Sequence, residues 1–90
     1  MATSKIKYVP QCKYLGTLPT NTNLDNVKEW SISRLSSNVT YLSTPTGVTW
    51  GLLETIPVAT LIVQRLSSNS LYYRYYGNNE WSEWKKYTIT

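Results

Sequence analysis

The chain has 90 residues, nine basic against five acidic for a net charge of +4, a single cysteine and no histidine. That is one domain with a modest core. It excludes an intrachain disulfide and a zinc site built from cysteines, and it removes the commonest general base, the commonest metal ligand and the Ser-His pairing of hydrolases.

No cofactor or metal is therefore expected, and Cys12 reads as a tolerated thiol. The positive balance favours polyanionic partners, but the basic residues are spread from Lys5 to Lys86 with no run longer than Lys85-Lys86, which argues against a basic arm. No apolar run reaches the length of a membrane span, so no membrane partner is expected. The opening MATSKIKYVP lacks the apolar core of a signal peptide, which argues against export by that route.

In chain order, residues 1–13 read as an arm or linker and residues 14–90 as one domain. Thr22 stands three residues before Asp25, close to a capping box, and Leu24 and Val27 are i,i+3 partners. This predicts one short helix over 23–29 whose Leu24 and Val27 must pack on something, because so short a helix does not persist alone. From Trp30 the pattern becomes that of strands. WSISRLS puts Trp30, Ile32 and Arg34 on one side and Ser31, Ser33 and Leu35 on the other. VTYLS is a further candidate before the TPTG turn. VTWGLLETI is a strand interrupted by Gly51, which signals a bulge or a close backbone approach. TLIVQRLS is the clearest strand of all. The pentapeptide RLSSN occurs at 34–38 and again at 65–69, with a strand before it each time. Two copies are too few for a solenoid and leave a pair of similar hairpins, or chance. The expected fold is α+β and β-rich: a small, mostly antiparallel sheet with one short N-terminal helix.

The stretch LYYRYYGNNEWSEWKKY, residues 71–87, carries seven of the twelve aromatic residues and three of the nine basic ones. A hairpin with a four-residue loop over 77–80 places Tyr76 opposite Trp81, Arg74 opposite Glu83 and Tyr73 opposite Trp84, all favourable cross-strand pairs. Leu71, Tyr73, Tyr75 and Trp84 then share the better core face. Tyr72, Arg74, Tyr76, Trp81, Glu83, Lys85 and Tyr87 share a wet, ring-lined one. From that face Tyr72, Arg74, Tyr76, Trp81 and Lys85 are the candidate ligand-binding residues, with a purely structural cation–π cluster as the alternative.

WSEWK resembles the Trp-Ser-x-Trp-Ser box of cytokine receptors, where Trp rings stack with Arg side chains of a neighbouring strand, a role open to Arg74. Lys85 in place of the last Ser, the missing paired cysteines and the low strand count set that likeness aside as coincidence. A broader resemblance is carried by YLGTLPTNTNLDNVKEW, WGLLE, LIVQRL and YYRYYGNNEWSEWKK. In the spacing of Leu18-Pro19, Asn23-Leu24, Trp50-Gly51 and Tyr72-Tyr73-Arg74 to Trp81-Ser82-x-Trp84-Lys85, these segments resemble the knob domain of R-type pyocin tail fibres and related phage receptor-binding proteins, from about Tyr14 to Lys86. The chain departs from relatives at Ser31 and Ser33, where Gly and Tyr are frequent. The resemblance implies a non-catalytic module of the distal tail of a virion that helps attach the tail to a host glycan or teichoic acid. It implies other tail proteins as partners and a trimeric full-length fibre. The absence of a heptad pattern makes the isolated domain an expected monomer.

Two other classes compete. Glycoside hydrolysis needs paired carboxylates, and of Asp25, Glu29, Glu54, Glu80 and Glu83 none reads as a proton donor in a cleft, so no enzyme is expected. Single-stranded nucleic acid would suit stacking rings beside cations, but no recognised module is spelled out. A spacer or docking domain of a fibre is the third reading.

Overall fold

The fold is described over residues 11–87 in a computed structural model. The proposed arm, 1–13, lies outside the described residues except for its last three. Among the described residues seven strands form one sheet: β1 (Lys13–Thr17), β2 (Ser31–Leu35), β3 (Gly51–Val58), β4 (Leu61–Ser67), β5 (Leu71–Gly77), β6 (Glu80–Trp81) and β7 (Lys85–Lys86). The spatial order follows the chain from β1 to β6, and β7 pairs with β5 below β6. Every pairing is antiparallel except β1 with β2. The β-rich, mostly antiparallel expectation holds. VTYLS does not become a strand: only Leu42 joins a bridge, to Asn23.

Alternation decides which face is buried. The pairings Ser33↔Leu53, Leu53↔Leu66 and Leu66↔Tyr72 run one row of the inner face across four strands. The next row is polar throughout: Ser31↔Thr55, Thr55↔Gln64 and Gln64↔Arg74. Segments between strands cover this face. Leu18, Leu24, Val27, Tyr41 and Val48 pack onto Leu35, Leu53 and Leu66, with Tyr72 and Trp84 at the margin. Tyr41 fixes the cover in place, since its hydroxyl donates to the Leu18 carbonyl at 2.7 Å and accepts from the Ser36 N–H at 3.0 Å.

The short helix is not there. Leu24–Asn26 is a single 3-10 turn, capped by the Asn23 side chain accepting from the Asp25 N–H, and the chain is extended again at Val27. Thr22, the expected cap, donates instead to the Pro19 carbonyl. The physical reason is competition for carbonyls. Gln64 Nε2 takes those of Leu24 and Val27 at 2.9 and 3.0 Å, and the Trp81 indole takes that of Asp25 at 3.1 Å. Side chains from the sheet thus satisfy groups that a helix would have paired internally. Leu24 and Val27 are buried, as the pattern required.

The last hairpin turns on two residues, Asn78 and Asn79, both at positive φ (54° and 65°), the geometry of a type I′ turn. Gly77 pairs with Glu80, so the loop is shorter than the expected four residues, yet Tyr76 does face Trp81. Replacing Asn79 by Gly is expected to stabilise the domain by about 0.5 kcal/mol, because glycine occupies this conformation without a Cβ penalty. A thermal melt should rise by roughly 2–4 °C; a fall would mean that Asn79 makes contacts beyond the turn.

Candidate functional site

Beyond Trp81 the ladder slips. Continued without interruption, Tyr76↔Trp81 would set Tyr73 opposite Trp84, but Tyr73 faces Lys85. One extra residue is therefore accommodated within 82–84, a bulge. Ser82 patches it: its N–H donates to the Tyr75 carbonyl at 2.8 Å and its hydroxyl accepts from the Tyr75 N–H at 3.1 Å. The expected partners Arg74–Glu83 and Tyr73–Trp84 do not form.

The two faces of β5 are also the reverse of the expectation. Tyr72, Arg74 and Tyr76 lie opposite Leu66, Gln64 and Ile62 on the inner face, while Tyr75 is exposed. Alternation in LYYRYY offers little contrast between Leu-Tyr-Tyr and Tyr-Arg-Tyr, so the one charge decided the expected orientation, and that charge is buried. Arg74 is 4% exposed. Its Nη1 pairs with Asp25 Oδ1 at 2.9 Å and its Nε donates to Gln64 Oε1 at 2.9 Å. Its guanidinium carbon lies 4.1 Å from the centre of the Trp81 ring and 4.6 Å from that of Trp84. Burial lowers the Arg74 pKa, and the hydrogen bond and charge of Asp25 oppose that shift.

The indole of Trp84 donates to the Ser43 carbonyl at 2.8 Å, so both rings that flank Arg74 are tethered through their N–H groups to the covering segments. Arg74 and the two tryptophans thus form the structural cation–π cluster that was the alternative to a ligand site. Its work here is to fasten residues 23–27 and 43 to the sheet.

The five candidate ligand residues therefore do not line one exposed patch. Arg74 is enclosed and Tyr72 packs against the core. Lys85 is exposed, but as the partner of Tyr73 it belongs to the outer face. Tyr76 and Trp81 remain together and half-buried, with ring centres 5.2 Å apart, and Lys28 places its ammonium 4.3 Å from the Tyr76 ring. Three of the five carboxylates considered above are held by cations: Asp25 by Arg74, Glu54 by Arg65 at 3.1 Å and Glu29 by Lys13 at 3.3 Å. A second aromatic surface lies outside the candidate residues. Trp50 is 45% exposed, beside Arg34 in a pocket of about 480 Å³. Trp50-Gly51 and the first RLSSN copy are both visible in the sequence, but only the β2–β3 pairing brings them side by side.

Fold and site together define a small single-sheet β module, one face buried under irregular segments and its C-terminal hairpin locked by an arginine between two tryptophans. The chain is similar in structure to an N-truncated R2-type pyocin tail fibre, with a TM-score of 0.74 and 21% sequence identity over 91% of this chain. It spans 35% of that fibre chain. No protein-family model and no curated protein sequence matches it. The resemblance to pyocin fibres that the sequence segments carry is found again in the fold.

Proposed function

We propose that this domain is a non-catalytic module of a phage-type tail fibre, at the distal tail of the virion, that helps attach the tail to a polysaccharide or teichoic acid of a bacterial surface. The observation that carries this reading is the likeness of the fold to a segment of a pyocin tail fibre. The net charge of +4 and the exposed Lys85 and Lys86 suit a polymer bearing phosphates or carboxylates. Of the ring-lined face, Tyr76 and Trp81 with Lys28 are the part still open to a ligand, and Arg74 stacks on Trp81. One copy would bind weakly, and several copies on a trimeric fibre held by other tail proteins would gain from avidity. The isolated domain is taken to be a monomer.

Cosedimentation of the purified domain with bacterial cell walls, before and after removal of teichoic acid, tests this. Binding at low salt that weakens as salt rises is the expected result. The double variant Lys85→Glu, Lys86→Glu takes the net charge from +4 to zero, two units per reversal, and should lower binding about tenfold, or about 1.4 kcal/mol. Failure to adsorb to any wall preparation would favour a second reading, a spacer or docking domain. That reading is supported by the commitment of Arg74, Trp81 and Trp84 to internal packing.

A further inference from the structure

β2 and β4 flank β3 and run in the same direction, so the two RLSSN copies leave the sheet at one end, opposite to the Asn78-Asn79 turn. Their arginines stand on the same outer face with different neighbours. Arg65 faces Glu54 and holds its carboxylate at 3.1 Å. Arg34 faces Leu52, and among the described residues no carboxylate pairs with it. The repeat thus contains one neutralised cation and one left over.

The leftover cation borders a pocket of about 480 Å³, lined among others by Arg34, Ser36, Asn38, Trp50, Leu52 and Ser67, with no acidic residue in its wall. That volume falls in the range of about 300–1,000 Å³ usual for small-molecule sites. Trp50 differs from the two tryptophans around Arg74. It is 45% exposed, and among the described residues its indole N–H has no partner, whereas those of Trp81 and Trp84 are bound to carbonyls. The rim is pre-shaped. The Ser36 N–H is held by the Tyr41 hydroxyl at 3.0 Å, and the Asn38 N–H by Ser36 Oγ at 3.2 Å.

An apolar ring, an uncompensated guanidinium and a set of hydroxyl and amide groups converge here. We propose that this pocket binds one acidic sugar unit, its pyranose ring over Trp50, its carboxylate or phosphate on Arg34, and its hydroxyls on Ser36, Asn38 and Ser67. The aromatic ring supplies an amphipathic platform and the guanidinium a two-pronged donor for an oxyanion. The site deepens the surface-attachment reading and rests on it for biological meaning, but its chemistry is testable apart from any cell wall.

The experiment is an NMR titration of the isotope-labelled domain with glucuronate, glucose 1-phosphate, glucose and inorganic phosphate. Glucuronate or glucose 1-phosphate should shift the Trp50 indole and the amides of residues 34–38, and the tighter of the two identifies the anionic group. Neutral glucose should bind about tenfold more weakly. Arg34→Gln should erase the difference between charged and neutral sugars, and Trp50→Ala should weaken all of them about tenfold. Both side chains are exposed, so the remaining spectrum should be unchanged. The proposal is overturned if Trp50 does not respond, if inorganic phosphate alone shifts the same residues as strongly as the sugar phosphate, or if Trp50→Ala changes nothing. Wall adsorption that persists in both variants, without a titration at the pocket, would overturn the pocket and leave the attachment reading standing.

Discussion

Arg74→Ala is expected to destabilise the domain by about 3 kcal/mol, a large share of the roughly 5–15 kcal/mol available to a small protein. The substitution does several things at once. It empties the space between Trp81 and Trp84, whose ring centres lie 4.1 and 4.6 Å from the guanidinium carbon. It leaves Gln64 Oε1 without its donor in a residue that is 0% exposed. It also frees Asp25, whose side chain is 42% exposed and can return to water, so the loss stays near the lower end for a broken buried pair. The cavity and the orphaned acceptor supply most of the effect. In urea the midpoint should fall by roughly 1–3 M with an unchanged slope. Near-ultraviolet dichroism should report loosened tryptophans even in conditions that keep the variant folded. Asp25→Asn keeps the stack and the Gln64 contact but leaves the enclosed guanidinium without its counter-charge, so a loss of about 3 kcal/mol is expected there as well. If Arg74→Ala stays within 0.5 kcal/mol of the parent, the stack is ornamental and the hairpin is held by backbone pairing alone.

This outcome differs from what the sequence suggests, and the reason is general. An arginine among tyrosines on a strand looks like a surface cation, because charged side chains are seldom fully enclosed. What encloses Arg74 comes from far along the chain: Asp25 from the 3-10 turn, Gln64 from the adjacent strand, Trp84 from beyond a bulge. Only the stacking with the tryptophans of WSEWK has a local signature, the structural cation–π alternative; the contacts with Asp25 and Gln64 have none. The bulge matters most. A single extra residue within 82–84 moves Trp84 from the partner position of Tyr73 to the side of Arg74, and a one-residue slip always exchanges faces.

Strand positions were far more legible than faces. β4 and β5 stand where alternation, β-branched residues and turn residues put them; β3 begins at Gly51 instead of running through it from Val48 and extends past Pro57 to Val58, and Gly51 is the close approach that was expected there. β1 had no such signal. Four of its five residues are exposed, its register shifts between Tyr14 and Gly16, and its partner lies in parallel, which demands a long connection rather than a turn. The helix failed because its cues were local while its carbonyls were claimed by Gln64, 40 residues from Leu24 and 37 from Val27. The same separation hid the site. Trp50 and the first RLSSN copy are visible in the sequence, but only the β2–β3–β4 register shows that Arg34, unlike Arg65, lacks a carboxylate across the strand.

That register depends on one glycine. Gly51→Ala is expected to cost about 3 kcal/mol or more. Gly51 has φ of 147°, a conformation closed to most other residues, worth roughly 1–3 kcal/mol when imposed on one. A methyl group there would also stand 2.6 Å from the Ser67 carbonyl oxygen and 3.0 Å from Leu66 Cδ1. The first of these is backbone in the partner strand, so β3 and β4 must separate where Leu52 meets Ser67. Gly47 provides the control. It too has a positive φ, 81°, yet a Cβ there meets nothing within 4 Å, so Gly47→Ala should cost only the conformational part, about 1–2 kcal/mol. Paired urea titrations of the two variants separate strain from collision. Equal losses would mean that the close approach at Ser67 relaxes freely. A larger loss at Gly51 should come with altered shifts at Trp50 and Ser67, because Gly51 lines the same pocket as Trp50, Ser67 and Arg34. In the folded fraction of Gly51→Ala, acidic sugars should then bind the pocket less tightly, although neither Trp50 nor Arg34 has been changed.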